Sequence, residues 1–135
     1  MIVSKEQNLA VKQQFVAAVF AGDKDTLRRL ADPHFELHEG SAMPFAGTYR
    51  GAEGFIGFLD IFMAAFDIRR LEETGAYTSE DPDQMVFTFE LEAVYRPTGV
   101  DFSSSLIEAW QFSNGKVLKI VAHYLNSPLH PLPKP

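Results

Sequence analysis

Apolar positions recur along this chain with two different periods, and the change from one to the other divides it. Val11, Phe15, Val16, Val19 and Phe20 fall on one face at helical spacing. Ser4 followed by Gln7 has the pattern of a capping box that opens such a helix. Gly22 suits its end, and Asp23 suits the start of a second, short helix with Leu27 and Leu30 inward. Pro33 limits that helix, because the residue before a proline avoids helical torsions. Phe35-Glu36-Leu37-His38-Glu39 alternates and predicts a strand, and Gly40 to Arg50, with Pro44 and Gly47, reads as a loop. Phe55, Phe58, Leu59, Phe62, Met63 and Phe66 recur at three and four residues and predict a third helix with a wide apolar stripe.

From Asp67 onward the period is two. Strands are expected over about Ile68 to Thr78, Met85 to Tyr95, Phe102 to Phe112 and Lys116 to Tyr124. The joints Asp81-Pro82-Asp83, Pro97-Thr98-Gly99 and Asn114-Gly115 carry turn chemistry, and joints this short make antiparallel neighbours. Residues 1–127 read as a single domain. Residues 128–135, with Pro128, Pro131, Pro133 and Pro135, read as a Pro-rich extended tail. Helices first and a meander second is an α+β order, in which an antiparallel sheet covers its apolar face with about three N-terminal helices.

Composition narrows the function. With 135 residues the chain buries roughly two-thirds of its unfolded surface, enough for a core that contains a hole. Twelve Phe point either to dense packing or to an apolar cavity walled by rings, and composition alone does not separate the two. A net charge of −6 repels phosphate backbones and argues against nucleic acid. The absence of Cys excludes disulfides, thiolate catalysis and Cys-based zinc sites. Met1 to Gln14 is polar, and the longest apolar run, Phe15 to Ala21, falls short of the roughly 20 residues of a membrane span. The expected compartment is the cytoplasm, with no membrane partner.

Candidate chemistry comes from two acids on apolar strand faces. Glu108 shares a face with Leu106, Trp110 and Phe112, and Glu39 shares one with Phe35 and Leu37. A carboxylate among apolar groups must be paired, hydrogen-bonded, hydrated or neutral, and functional sites commonly tolerate that cost. Structural alternatives stand beside this reading. Glu39 can reach water from a strand end, and Glu108 can pair with Lys12 or an arginine, or leave the core through a one-residue slip in register. His38 lies on the face opposite Glu39, which suits a surface role, with acid–base partnership as the alternative. His34, His123 and His130 complete no metal-ligand spacing, so no metal is expected. Gly51, Gly54 and Gly57 do not follow a strand as a phosphate loop does, and suit close packing of a helix against a sheet. Ser103-Ser104-Ser105 reads as polar strand surface.

Pro44-Phe45-Ala46-Gly47-Thr48-Tyr49-Arg50-Gly51, between a short strand and an amphipathic helix, resembles the SnoaL-like branch of the nuclear-transport-factor-2-like superfamily. The helix–Gly22-Asp23–helix start and the closing meander are similar as well. The resemblance implies a cystatin-like cone: a curved sheet wrapped over helices, with an internal pocket. Among its ketosteroid isomerases, Glu39 falls at the general base and Glu108 at a buried, protonated acid. Phe15, Leu30 and Leu59 stand where those enzymes carry tyrosines, so their oxyanion hole is not reproduced and steroid isomerase activity is not expected.

What the resemblance implies is a cofactor-independent isomerase, cyclase or dehydratase acting on a small apolar carbonyl compound. Glu39 and Glu108 would be its catalytic residues, and Phe15, Leu59, Phe62, Trp110 and Tyr124 its substrate-binding walls. Tyr124 is either an aromatic wall or a further hydrogen-bond donor. The alternative is a non-catalytic small-ligand-binding or dimerisation module of the same fold.

The expected outer sheet face mixes Val86, Thr88, Glu90, Glu92 and Val94 with Ile107, Ala109, Val117 and Val121. Such faces commonly bury against a second copy, and the resemblance also implies a homodimer. Light scattering at micromolar concentration is expected to give about twice 15.1 kDa; the single-chain mass would count against the dimer.

Overall fold

The computed structural model describes residues 2–129, so His130, Pro131, Pro133 and Pro135 of the expected tail lie outside it. The elements are α1 (Lys5–Ala21), α2 (Lys24–Leu30), β1 (Ala31–Glu39), β2 (Gly47–Arg50), α3 (Gly51–Ala65), β3 (Phe66–Thr78), β4 (Gln84–Tyr95), β5 (Val100–Ser113) and β6 (Lys116–Tyr124). The six strands form one open sheet in the order β2-β1-β6-β5-β4-β3. The class is α+β, with the three helices and one face of the sheet enclosing the core.

Local chemistry fixes the element ends. Ser4 Oγ accepts from the Gln7 amide at 3.1 Å, and Gln7 Oε1 accepts from the Ser4 amide at 2.8 Å, which completes the capping box. Gly22 closes α1 in the left-handed region at φ 68°, where a β-carbon would be strained. Asp23 then caps α2 through the Thr26 amide at 3.1 Å. Gly54 lets α3 approach β2, since a β-carbon there would lie 3.2 Å from the Tyr49 backbone; the space beside Gly57 is open.

Several sequence expectations change. The segment read as a loop from Gly40 to Arg50 contains β2, whose Thr48, Tyr49 and Arg50 pair antiparallel with His38, Leu37 and Glu36. The third helix ends at Ala65, and Phe66 opens β3 as a fully buried strand residue. The sheet is mixed: β1 runs parallel to β6, which the helical segment between distant strands permits. Val117 belongs to the core and not to the outer face, because a bulge at Gln111/Phe112 shifts the β5–β6 register and turns it inward.

Helix α1 departs from its apolar pattern in a way that bears on function. Its buried residues are Asn8, Lys12, Phe15 and Ala18, while Phe20 is 64% exposed. Two polar side chains can be buried there because partners meet them. Asn8 Nδ2 donates to Pro82 O at 2.8 Å and to Asp83 Oδ1 at 3.0 Å, and Lys12 pairs with Glu73 of β3.

The core is a continuous field of rings. Phe15 touches Phe35, Phe55 and Trp110, with centroids 5.1–6.2 Å apart. Phe66 touches Phe45, Phe62, Tyr95 and Phe102. Phe66→Ala is expected to lower the unfolding free energy by about 3–5 kcal/mol in a guanidinium titration. A loss under about 1 kcal/mol would show that this ring cluster is not a cooperative part of the core.

Candidate active site

The inner face of the sheet and the helices α1 and α3 enclose a cavity of about 740 Å³. Six of the twelve Phe (Phe15, Phe20, Phe55, Phe58, Phe62 and Phe89) line it. The remaining six pack behind and around this wall, so the Phe excess serves both purposes that composition left open. Phe20 and Met63, both largely exposed, lie at the rim and mark the entrance between α1 and α3.

Strand register places the acids. Glu39 pairs with Ala122 from one side and Glu108 pairs with the same Ala122 from the other. The order β1-β6-β5 thus puts two carboxyls on one row, their backbones about 10 Å apart across two strand spacings. The residue between them carries only a methyl group, so both side chains can lean over it into the cavity. All seven sequence-named site residues line this cavity: Glu39, Glu108, Phe15, Leu59, Phe62, Trp110 and Tyr124.

The two acids have different surroundings. Glu39 is 7% exposed, and its Oε2 has no hydrogen-bond partner among the described residues. Burial raises its pKa to about 9, the charge of Glu108 adds to the rise, and the Tyr124 hydroxyl partly offsets it. At neutral pH Glu39 is therefore a neutral acid. Glu108 is also pushed up by burial and by the negative charge of Glu73. Two influences oppose that shift: Trp110 Nε1 donates to Glu108 Oε1 at 3.0 Å, and Lys12 contributes positive charge. Burial holds the Tyr124 hydroxyl well above its usual range, and the neighbouring carboxylates reinforce this. Tyr124 is therefore both wall and hydroxyl partner.

Lys12 does not pair directly with Glu108, as one sequence alternative had it. It pairs with Glu73 and lies 4.2 Å from the centroid of the Phe87 ring. Glu73 lines the cavity too, and its role was missed from sequence. The available signal was parity: Glu73 shares the inward alternation of Leu71 before the β3 bulge. The described histidines, His34, His38 and His123, do not line the cavity. His38 Nε2 meets Glu36 Oε1 at 3.0 Å on the outer face, where Arg50 also pairs with Glu36. Among the described residues no group of three His, Cys, Asp or Glu could hold a metal ion, and no helix is long and apolar enough to cross a membrane.

Residues 13–120 match the SnoaL-like domain model, which covers most of the chain, and the chain belongs to that family. Solved structures share the fold. Bal32a, from a soil-derived mobile gene cassette, is 21% identical over 89% of this chain and 90% of its own, with a TM-score of 0.76. An NTF2-like protein from Burkholderia thailandensis is 20% identical over 91% and 92%, also with a TM-score of 0.76. A Mycobacterium tuberculosis protein, solved in complex with estradiol-17β-hemisuccinate, is 16% identical over 87% and 92%, with a TM-score of 0.68. No curated protein matches the sequence.

The buried acid makes stability depend on pH. The folded pKa of Glu39, about 9, lies above the unfolded value of about 4.3. Between those values the folded state holds a proton that the unfolded state has released, so stability falls as pH rises, with a limiting slope of about 1.4 kcal/mol per pH unit. Glu39→Gln is expected to flatten this slope in denaturant titrations from about pH 5 to 9. An unchanged slope would mean that Glu39 ionises as a surface carboxyl does.

Proposed function

We propose that this SnoaL-like protein is a cofactor-independent proton-transfer enzyme, an isomerase, cyclase or dehydratase acting on a small apolar carbonyl compound. The observation that carries the reading is the row Glu39–Ala122–Glu108: two carboxyls on the floor of one ring-walled cavity, with different electrostatic surroundings. Neighbouring acids held apart in protonation supply a base and an acid to one substrate. The ionised member takes a proton from carbon beside a carbonyl. The neutral member, with the Tyr124 hydroxyl, hydrogen-bonds the oxygen on which charge develops.

The walls suit the substrate class. Phe15, Leu59, Phe62 and Trp110 offer apolar surface, and among the described residues no Lys, Arg or His lines the cavity. That favours an uncharged molecule. The M. tuberculosis protein, solved with estradiol-17β-hemisuccinate, shows a steroid half-ester that carries a free carboxyl in a protein of similar fold. In the isomerases the proton acceptor stands at the Glu39 position and the donor at the Glu108 position. Phe15 supplies no hydrogen bond, so donors to the substrate oxygen come from the acids and Tyr124.

The same shortage of donors favours the second reading, a binding module of this fold that does no chemistry. Hydrogen exchange separates the two, using 2-tetralone as an apolar ketone probe in D₂O followed by proton NMR, with Trp110 fluorescence as the binding signal. The protein is expected to bind the probe and speed exchange beside its carbonyl. Glu39→Gln and Glu108→Gln should each slow exchange on the order of a hundredfold while leaving binding intact. Binding without exchange by the native protein supports the binding module, and exchange that survives the double substitution rules out the carboxyl pair.

A further inference from the structure

Lys12 carries a feature that the proton-transfer reading does not use. It is a buried base, 5% exposed, on a helix face otherwise turned to the core. It does not line the cavity, so it does not meet the substrate. Its position is nonetheless fixed relative to one acid of the pair. Its ammonium lies 4.2 Å from the Phe87 ring centroid, and Phe87 is the direct cross-strand partner of Glu108 on β4. Its other contact is Glu73, half-exposed on β3, which also lines the cavity.

We propose that Lys12 is a positioning residue whose charge makes Glu108 the base and leaves Glu39 the proton donor. This rests on the proton-transfer reading above and reverses the roles that the isomerase resemblance implies. The groups around each acid support it. Glu108 faces Lys12 from α1, Glu73 from β3, Trp110 on its own strand, Glu39 across Ala122, and Tyr124 from β6. Of these, Lys12 and the Trp110 N–H stabilise a carboxylate. Glu39 faces Glu108, Tyr124 and the Tyr49 hydroxyl, which carry no positive charge. Trp110 Nε1 donates to Glu108 Oε1 at 3.0 Å, whereas Glu39 Oε2 has no hydrogen-bond partner among the described residues, and this difference favours ionisation of Glu108 first.

The resulting step balances. The Glu108 carboxylate takes the proton from carbon beside the substrate carbonyl. The C–H electron pair becomes the enol double bond, the carbonyl π pair moves to oxygen, and that oxygen takes the proton of Glu39. Glu108 is then neutral and Glu39 ionised. Where the substrate carries a C=C bond beyond that carbon, the enol is a dienol: its far carbon takes the proton from Glu108, the double bonds shift toward the carbonyl, and the enol proton returns to Glu39, which restores both acids and leaves an isomer.

The test needs no substrate, so its failure leaves the exchange experiment standing, and the reverse holds as well. Trp110 is the single Trp and donates to Glu108, so its indole ¹H–¹⁵N signal reports the ionisation of Glu108. Glu39 is followed through the ¹³C carboxyl signal that disappears in Glu39→Gln. In the native protein the Trp110 midpoint is expected below that of Glu39. Lys12→Met should raise the Trp110 midpoint by about one pH unit, a tenfold change in proton affinity, and Lys12→Arg should restore it. Glu73→Gln, which frees the charge of Lys12, should lower the midpoint by a similar amount. This second variant decides the matter if Lys12→Met does not fold. A native order with Glu39 first, or a Trp110 midpoint indifferent to Glu73→Gln, overturns the proposal.

Discussion

Two carboxyl groups in a largely apolar cavity, Glu39 buried and Glu108 half-buried, set the terms for the rest of this structure. An ionised carboxylate in such a place costs several kcal/mol unless it is paired or hydrogen-bonded, so each group must stay neutral or find support. Glu39 takes the first course: burial holds it neutral, with Tyr124 beside it. Glu108 has the means for the second, with the Trp110 N–H at 3.0 Å and the positive charge of Lys12 nearby. Lys12 is itself tolerable only because Glu73 and the Phe87 face accept its charge. A chain of mutual compensation thus runs from the cavity floor to a half-exposed acid on β3.

The fold supplies what this chain needs. Parallel pairing of β1 with β6 brings the end of the first strand beside the last, which no run of hairpins would do. Antiparallel pairing of β6 with β5 completes the row. Ala122 stands at its centre because a larger side chain there would fill the space both carboxyls enter. The aromatic wall then lowers the local dielectric, which strengthens every charge interaction on the floor and sharpens the difference between the two acids.

Much of this was legible in the sequence where local rules decide. The Ser4–Gln7 capping box, Gly22, the alternation in β4 and the Asn114-Gly115 turn each state their own structure. Period-two parity alone put Glu39 and Glu108 on inward faces. What escaped was non-local. The β1–β6 pairing and the strand character of Thr48 to Arg50 depend on partners far along the chain. Val117 was misplaced because a bulge breaks parity after Gln111. The buried stripe of α1 was misread because Asn8 and Lys12 look like surface residues until Pro82, Asp83 and Glu73 arrive to meet them. Resemblance supplied the cavity and implied that Glu108 holds the proton, whereas burial raises the pKa of Glu39 to about 9.

That last point is the centre of the account, and infrared difference spectroscopy addresses it directly. Spectra between about pH 7 and pH 10 should show loss of the C=O stretch of a protonated carboxyl, and the band should be absent from Glu39→Gln and present in Glu108→Gln. A native protein with no such band at neutral pH would mean that Glu39 is already ionised, and the division of labour on the cavity floor would not hold.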